Sequence, residues 1–395
     1  GLGDVYKRQA LFNTTQKLFK DKVTLNLIAN ASYRTQRAPG SLSSEVDPVF
    51  GTVKRDFDIN PYSYALRSSR TLDPDEFYTR NFAPFNIKHE LNHNYMDINV
   101  ADIKVQAELK YRPIDKVELA ALGSVRYQAT STEHHITDDA NQAEAYRANY
   151  TSMITSSNPY LYSNPDLPNS IKYSVLPNGG IYTRNDYRAI SQDFRATVNY
   201  NDTFNAKHVL NAFGVVEINA INRQSTSFQG WGLQYNMGET PFYTLDLFKK
   251  QLEENIRYYS MNNTRERNVA FAGTMSYSYD YRYTINGTLR YEGSNRLGRS
   301  RSARWLPTWN IAGKWAVDQE KFFDKLRPAL STLNFRASYS LTADRGPAWV
   351  NNSTVTIYAN SPWRGDNDIM EPGLRISAPE NSELTYEKKL SLIHI

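Results

Sequence analysis

Cysteine is absent from the 395 residues, and with it go disulfide frameworks, thiolate-held zinc or iron–sulfur centres and thiol nucleophiles. Long apolar runs are missing too. Nothing approaches the ~18 consecutive apolar residues of a membrane-crossing helix, so a helical membrane protein is excluded. Charge of one sign is also scarce. Lys and Arg number 46 against 41 Asp and Glu, a formal charge of +5, too small and too mixed to mark a nucleic-acid binder or a polybasic membrane anchor. With 19 Gly and 17 Pro, the chain does not have a disordered composition. What it has in quantity is aromatic side chains, 28 Tyr, 17 Phe and 6 Trp, which suit aromatic-rich strands or carbohydrate-facing surfaces.

The two ends are set aside before any fold reasoning. DVYKRQ at 4–9 and LSLIHI at 390–395 back-translate into DNA strings that are reverse complements of each other and resemble a transposase end used in library preparation. Residues 1–9 and 390–395 are therefore expected to be adaptor-derived and non-native. Residues 10–389 are expected to be a natural piece of a larger gene.

Between the ends the dominant signal is period-2 alternation, which marks strands with one apolar and one polar face. Val23, Leu25, Leu27, Ala29, Ala31 and Tyr33 share one face, opposed by Thr24, Asn26, Asn30, Ser32 and Arg34. Ile103, Val105, Ala107, Leu109 and Tyr111 are opposed by Asp102, Lys104, Gln106, Glu108, Lys110 and Arg112, more charge than a soluble core accepts. Similar segments follow as hairpins: 103–111 with 117–129, 194–200 with 210–218, 269–279 with 283–291, and 309–317 with 333–341, the last connection holding a short helix at 322–326. Turns inside these hairpins are short, whereas the links 36–97, 131–187 and 223–266 are long and rich in Pro, Asn, Asp, Ser and Tyr. Short turns at one end and long loops at the other, on strands of about 9–11 residues, are the signature of an outer-membrane β-barrel. The tyrosines at strand ends fit interfacial aromatic girdles. The fold class expected is all-β: a partial antiparallel transmembrane β-barrel with long extracellular loops and short periplasmic turns.

Tyr291-Glu292-Gly293-Ser294-Asn295-Arg296-Leu297-Gly298, followed by Trp305, Pro307 and Trp309 in ARWLPTWN, then Gly313-Lys314-Trp315, resembles the C-terminal barrel of SusC/RagA-family TonB-dependent transporters. Phe322-Phe323, the segment LSTLNFRASY at 330–339 and NSELTYE at 381–387 extend the likeness, with Tyr386 where the family carries Trp. The resemblance implies a fragment of a barrel of about 22 strands with a plugged lumen, of which this chain supplies about nine or ten. It also implies an outer-membrane importer of oligosaccharides or oligopeptides. The implied partners are a SusD-like surface lipoprotein, the TonB–ExbB–ExbD system acting through an N-terminal region outside this chain, and outer-membrane lipid. A passive porin-like channel and a secreted β-rich glycan-binding or adhesion protein are the alternatives.

Polar strand faces carrying Lys104, Glu108, Lys110, Arg126, Arg195, Glu217 and Arg290 are expected to line the lumen, mostly as solvated or salt-bridged wall. Loop aromatics, Tyr160, Tyr162 and Tyr173 in one link and Trp231, Tyr235, Phe242 and Tyr243 in another, are candidates to contact substrate or lid, against the plainer reading that they pack the loops. His134-His135 with Asp138 and Asp139 does not complete a metal site, because adjacent strand residues point to opposite faces. No catalytic motif or acid–base constellation stands out, so no enzyme activity, cofactor, metal or nucleic-acid partner is expected.

Overall fold

The computed structural model describes residues 5–40, 45–46, 53–54, 56–164, 167, 169–253, 256–298, 300–325, 327–328, 330–344, 355–360, 373–381 and 383–394. Its organising element is a 12-stranded antiparallel sheet in which one short strand, Thr240–Pro241, lies off the main path. Along that path eleven strands follow one another in chain order: β1 Val5–Leu18, β2 Val23–Pro39, β3 Asn94–Ile114, β4 Val117–Ile136, β5 Gly180–Phe204, β6 His208–Gln234, β7 Tyr259–Tyr279, β8 Tyr283–Ser294, β9 Trp305–Ala316, β10 Asn334–Asp344 and β11 Glu387–His394. The sheet does not close, since β1 and β11 each pair on one side only. This is a partial barrel wall.

Alternation along each strand sorts the side chains. One face exposes Ile103, Val105, Leu109, Phe194, Ile218, Phe271, Met275, Ile285, Leu289, Ile311 and Phe335, large apolar groups that water would not leave uncovered and lipid would. The other face carries the charged residues, and its smaller members Ala189, Val215 and Ala270 are buried, as befits the concave side of a curled sheet. Cross-strand pairing shows the tilt. The row Ala31, Ile103, Tyr127, Ile190 starts in the apolar belt and reaches Asn222 and Arg265 without leaving register. A hydrogen-bonded row that climbs out of the belt is what strand tilt in a barrel requires.

Two sequence expectations are corrected, strand length and strand number. The strands are longer than expected: β5 has 25 residues and β6 has 27. Above the membrane both faces of the wall are wet, so hydrophobic alternation stops while backbone pairing continues. The long links therefore shrink to residues 40–93, 137–179 and 235–258. The short helix expected after β9 is present as a 3-10 helix, Lys321–Lys325, preceded by another at Val317–Gln319, and Leu326 lies outside the described residues. The path also holds eleven strands rather than nine or ten, because the segments at both ends pair as well. Val5 to Gln9 lie opposite Gln36 to Ser32, and Leu390 to His394 lie opposite Leu341 to Ala337.

Two hairpin turns lack glycine although both central residues sit at positive φ: Asn205 (51°) with Ala206 (55°), and Asp280 (51°) with Tyr281 (58°). That is the geometry whose twist matches flanking strands. Glycines lie elsewhere and do two different jobs. Gly123, Gly287 and Gly313 belong to the apolar face, and a Cβ on any of them would meet nothing. At Gly180 a Cβ would run into the Ile136 carbonyl, and at Gly232, whose φ is +79°, into the Phe242 carbonyl. In the intact protein Gly287→Ala and Gly313→Ala should leave melting unchanged or raise stability by about 0.5–1 kcal/mol, while Gly232→Ala should lower the melting temperature. Heat-modifiable gel mobility and thermal unfolding in detergent read both.

Candidate functional site

The concave wall below the loops is a network of charge pairs. Arg126 grips Asp102 on the neighbouring strand, Nε to Oδ1 at 2.8 Å. Glu108 accepts from Asn26 at 2.8 Å and lies 3.5 Å from Lys110. Glu217 takes Arg195 at 2.6 Å and Arg290 at 3.2 Å, and Arg290 also holds Glu292 at 2.7 Å. Arg290 reaches Glu217 across β7, where Ala270 and Ala272 leave room. Asp193 joins Ser124 and Asn219. The lumen candidates Glu108, Lys110, Arg126, Arg195, Glu217 and Arg290 are thus tied to neighbours, and Lys104 stands on the same face.

Higher on that face the character changes. Thr130, Thr132, Asn185, Thr183, Ser225, Ser227, Thr264 and Asn262 take inward positions on β4 to β7, a stretch of hydroxyls and amides flanked by the paired Arg223 and Glu266 and, on β3, by Val100 and Ile98. At its top, Ile136, Ile181 and Trp231 form one cross-strand row. On this row the loops build a core, with Ala140, Ala143, Tyr146, Tyr162, Val175, Leu176 and Leu247. Trp231 meets Tyr146 edge-on at 4.8 Å. Gly179 and Gly232 let the loop before β5 touch the backbone at the end of β6, and Asn158 donates to the carbonyls of Ala145 and Ala148. Because Ile136, Ile181 and Trp231 point inward, the loop core leans over the mouth of the wall.

The loop aromatics are divided among three settings. Tyr162 and Trp231 are 1% and 5% exposed, their rings inside the core. Tyr160 is half-buried against Phe57 and Tyr146. Tyr173 packs on Tyr162 and donates to Asp246 at 2.8 Å, and burial together with that carboxylate pushes its hydroxyl up to about 12. Tyr235 lies on the outward side, its ring 5.7 Å from His135 and its hydroxyl 3.2 Å from His135 Nδ1. Phe242 and Tyr243 are exposed. His134 turns inward to Asn94 at 2.6 Å, so the two histidines part to opposite faces. Among the described residues no three metal-ligating groups converge.

The motif residues close one hairpin. Tyr291 stacks on Trp305 with centroids 5.0 Å apart, and a Cβ on Gly293 would strike the Trp305 ring. Asn295 accepts from the Arg267 amide at 2.9 Å and donates to the Arg265 carbonyl at 2.8 Å, tying the turn to β7. Ser294 is buried and caps the Arg296 amide. Pro307 faces Tyr291, and Trp309 meets Tyr339 edge-on. Tyr386 completes a small core with Leu297 and Leu306.

No family model matches the chain. Two curated proteins of Formosa agariphila are similar in part. TonB-dependent receptor P39 is 28% identical over 151 residues, 37% of this chain and 13% of that protein. TonB-dependent receptor P26 is 26% identical over 124 residues, 31% of this chain and 12% of that protein. Among solved structures, the RagAB peptide importer in its closed-closed state superposes on 99% of this chain and 38% of its own, with a TM-score of 0.65 at 16% identity. The RagAB peptide transporter gives 0.62 at 15% identity. These likenesses support a SusC/RagA-type TonB-dependent receptor fragment. Such receptors are outer-membrane barrels, and the exposed apolar belt belongs to that membrane. The chain spans well under half the length of each protein it resembles.

One feature of this receptor's loops gave no signal in the sequence. Glu90, on the short helix Ile87–His93, is 1% exposed and accepts the Asn141 amide at 2.8 Å, while Asn141 in turn donates to the Arg80 and Pro84 carbonyls. The contact joins the loop after β2 to the loop after β4. Burial, opposed in part by that amide, pushes the carboxyl from 4.5 up to about 7. Burial and the His93 ring stacked at 3.8 Å lower His89, so His89 does not compensate Glu90. Folding therefore raises the proton affinity of Glu90. Its contribution is full below 4.5 and lost as pH rises through about 7. The protection of the Asn141 amide, its intrinsic exchange rate divided by the observed rate at each pH, should fall between pH 5 and pH 8, and Glu90→Gln should remove that fall.

Proposed function

We propose that this chain forms part of the wall and mouth of an outer-membrane importer of oligosaccharides or oligopeptides. The observation that carries the reading is the loop core seated on the inward row Ile136, Ile181 and Trp231, above an inner wall of hydroxyls and amides. A ligand held there meets hydrogen-bonding groups rather than fixed charge, which suits a neutral polymer with repeated hydroxyls or peptide amides. Lower down, the paired charges present a polar, self-neutralised surface to whatever fills the lumen. In this reading a SusD-like surface lipoprotein caps the mouth, with exposed Tyr243 and half-buried Tyr160 as the loop aromatics that meet substrate or lid. Buried Tyr162 and Trp231 hold the loops in place. Energy comes from TonB–ExbB–ExbD through a region outside this chain. Residues 1–9 and 390–395 are assigned to adaptors, and no function is drawn from them.

The test is uptake by cells that carry the intact receptor. Import of labelled oligosaccharide or oligopeptide should require the receptor and should stop when TonB is removed. Uptake that persists without TonB would overturn the reading in favour of a passive channel. Trp231→Ala should cost about 3–5 kcal/mol of loop packing and reduce uptake through disordered loops, whereas Tyr243→Ala should weaken substrate or lid binding with loop protection unchanged.

A further inference from the structure

Among the described residues, the hydroxyl and amide stretch of the inward wall carries one aromatic ring, Tyr187 on β5, and it is 40% exposed. Its row across β3 to β7 reads Val100, Thr130, Tyr187, Ser225 and Asn262. Neighbouring strands stand about 5 Å apart, so Thr130 and Ser225 flank the tyrosine directly. On β5 itself, Asn185 lies one inward step above and Ala189, 3% exposed, one step below. Asp186 and Arg188, on either side in the chain, point to the other face.

This part of the wall is open where the lower part is tied. Thr130, Asn185, Ser225 and Asn262 make no side-chain hydrogen bond among the described residues, and Tyr187 meets no other ring there and has no partner for its hydroxyl. Asn185, Ser225 and Asn262 are exposed as well. Charge does not reach the ring. Arg223, one step below Ser225, holds Glu266 at 3.0 Å, and Arg34, where the row meets β2, is three strands away.

An exposed aromatic face with unspent hydroxyls and amides around it, and no free charge beside it, matches a neutral sugar ring. The C–H face of a pyranose lies on the aromatic face, and its hydroxyls reach the donors and acceptors at the edge. A peptide fits less well. Both edges of β5 are already paired, to β4 and β6, so an extended peptide finds no free strand edge and none of the main-chain bonds that edge recognition supplies.

We infer that Tyr187 is the stacking platform of a sugar subsite on the inward wall, with Thr130, Asn185 and Ser225 as its hydrogen-bonding edge. The inference rests on the importer reading above and narrows its substrate, at this position, to a neutral saccharide.

The intact receptor in detergent would be titrated by calorimetry with neutral hexasaccharides of glucose, xylose and mannose, and with alanine–serine pentapeptides capped at both ends. At least one hexasaccharide should bind, and Tyr187→Ala should weaken it about tenfold. Tyr187→Phe should keep the affinity, because the ring face and not the hydroxyl carries the contact. Asn185→Ala, which leaves the ring in place, should cost about fivefold. Failure of every hexasaccharide to bind would overturn the inference, as would affinity unchanged in Tyr187→Ala or a capped peptide whose binding depends on Tyr187. Uptake by cells with and without TonB separates the two readings. TonB-dependent uptake of the hexasaccharide that ignores Tyr187→Ala sinks the subsite alone, whereas Tyr187-dependent binding without TonB-dependent uptake keeps the subsite and sinks the importer.

Discussion

A backbone crossing hydrocarbon has no water to satisfy its N–H and C=O groups, and everything else in this structure follows from meeting that demand with cross-strand hydrogen bonds. The pairing runs unbroken from β1 to β11, each strand antiparallel to the one before. It forces side chains to alternate faces, and the alternation lets one wall meet lipid and lumen at once. Gly123, Gly287 and Gly313 on the lipid side need no steric reason, since open space faces them, while those at Gly180 and Gly232 exist because backbone lies where a Cβ would go.

The same ladder carries the wall beyond the membrane. There the two faces no longer differ in solvent, and they diverge by task. Inward residues at the strand tops seed a loop core around Trp231 and Tyr162. Outward residues at the same height form an arginine-rich band with the rings of His135, Tyr182 and Tyr235 in tilted and edge-on contact above it. Glu90 and Asn141 lock two loops together away from both.

Much of this was legible in the sequence, and the limits of legibility have physical causes. Ile103 to Tyr111 alternates with charged residues so strictly that membrane and lumen faces could be read directly. The upper halves of β5 and β6 could not, because Thr183, Asn185, Gln224 and Thr226 are polar on both faces and carry no period. The motif around Tyr291 to Arg296 pointed to the receptor type, yet its work is local: Asn295 and the Tyr291–Trp305 stack finish a hairpin.

Sequence alone determined the strand class, the apolar belt, the end of the wall that bears long loops and the opposed directions of His134 and His135, because each depends only on the two-residue repeat of an extended chain. Tertiary structure decided which loop aromatics are exposed. Tyr162, Tyr235 and Tyr243 look alike in the chain, yet one is sealed in a core, one meets His135 edge-on at the outer wall and one faces solvent. Their fates depend on contacts between segments far apart in the chain, such as Tyr162 with Tyr173, Tyr235 with His135 and Glu90 with Asn141. No local periodicity encodes contacts of that range.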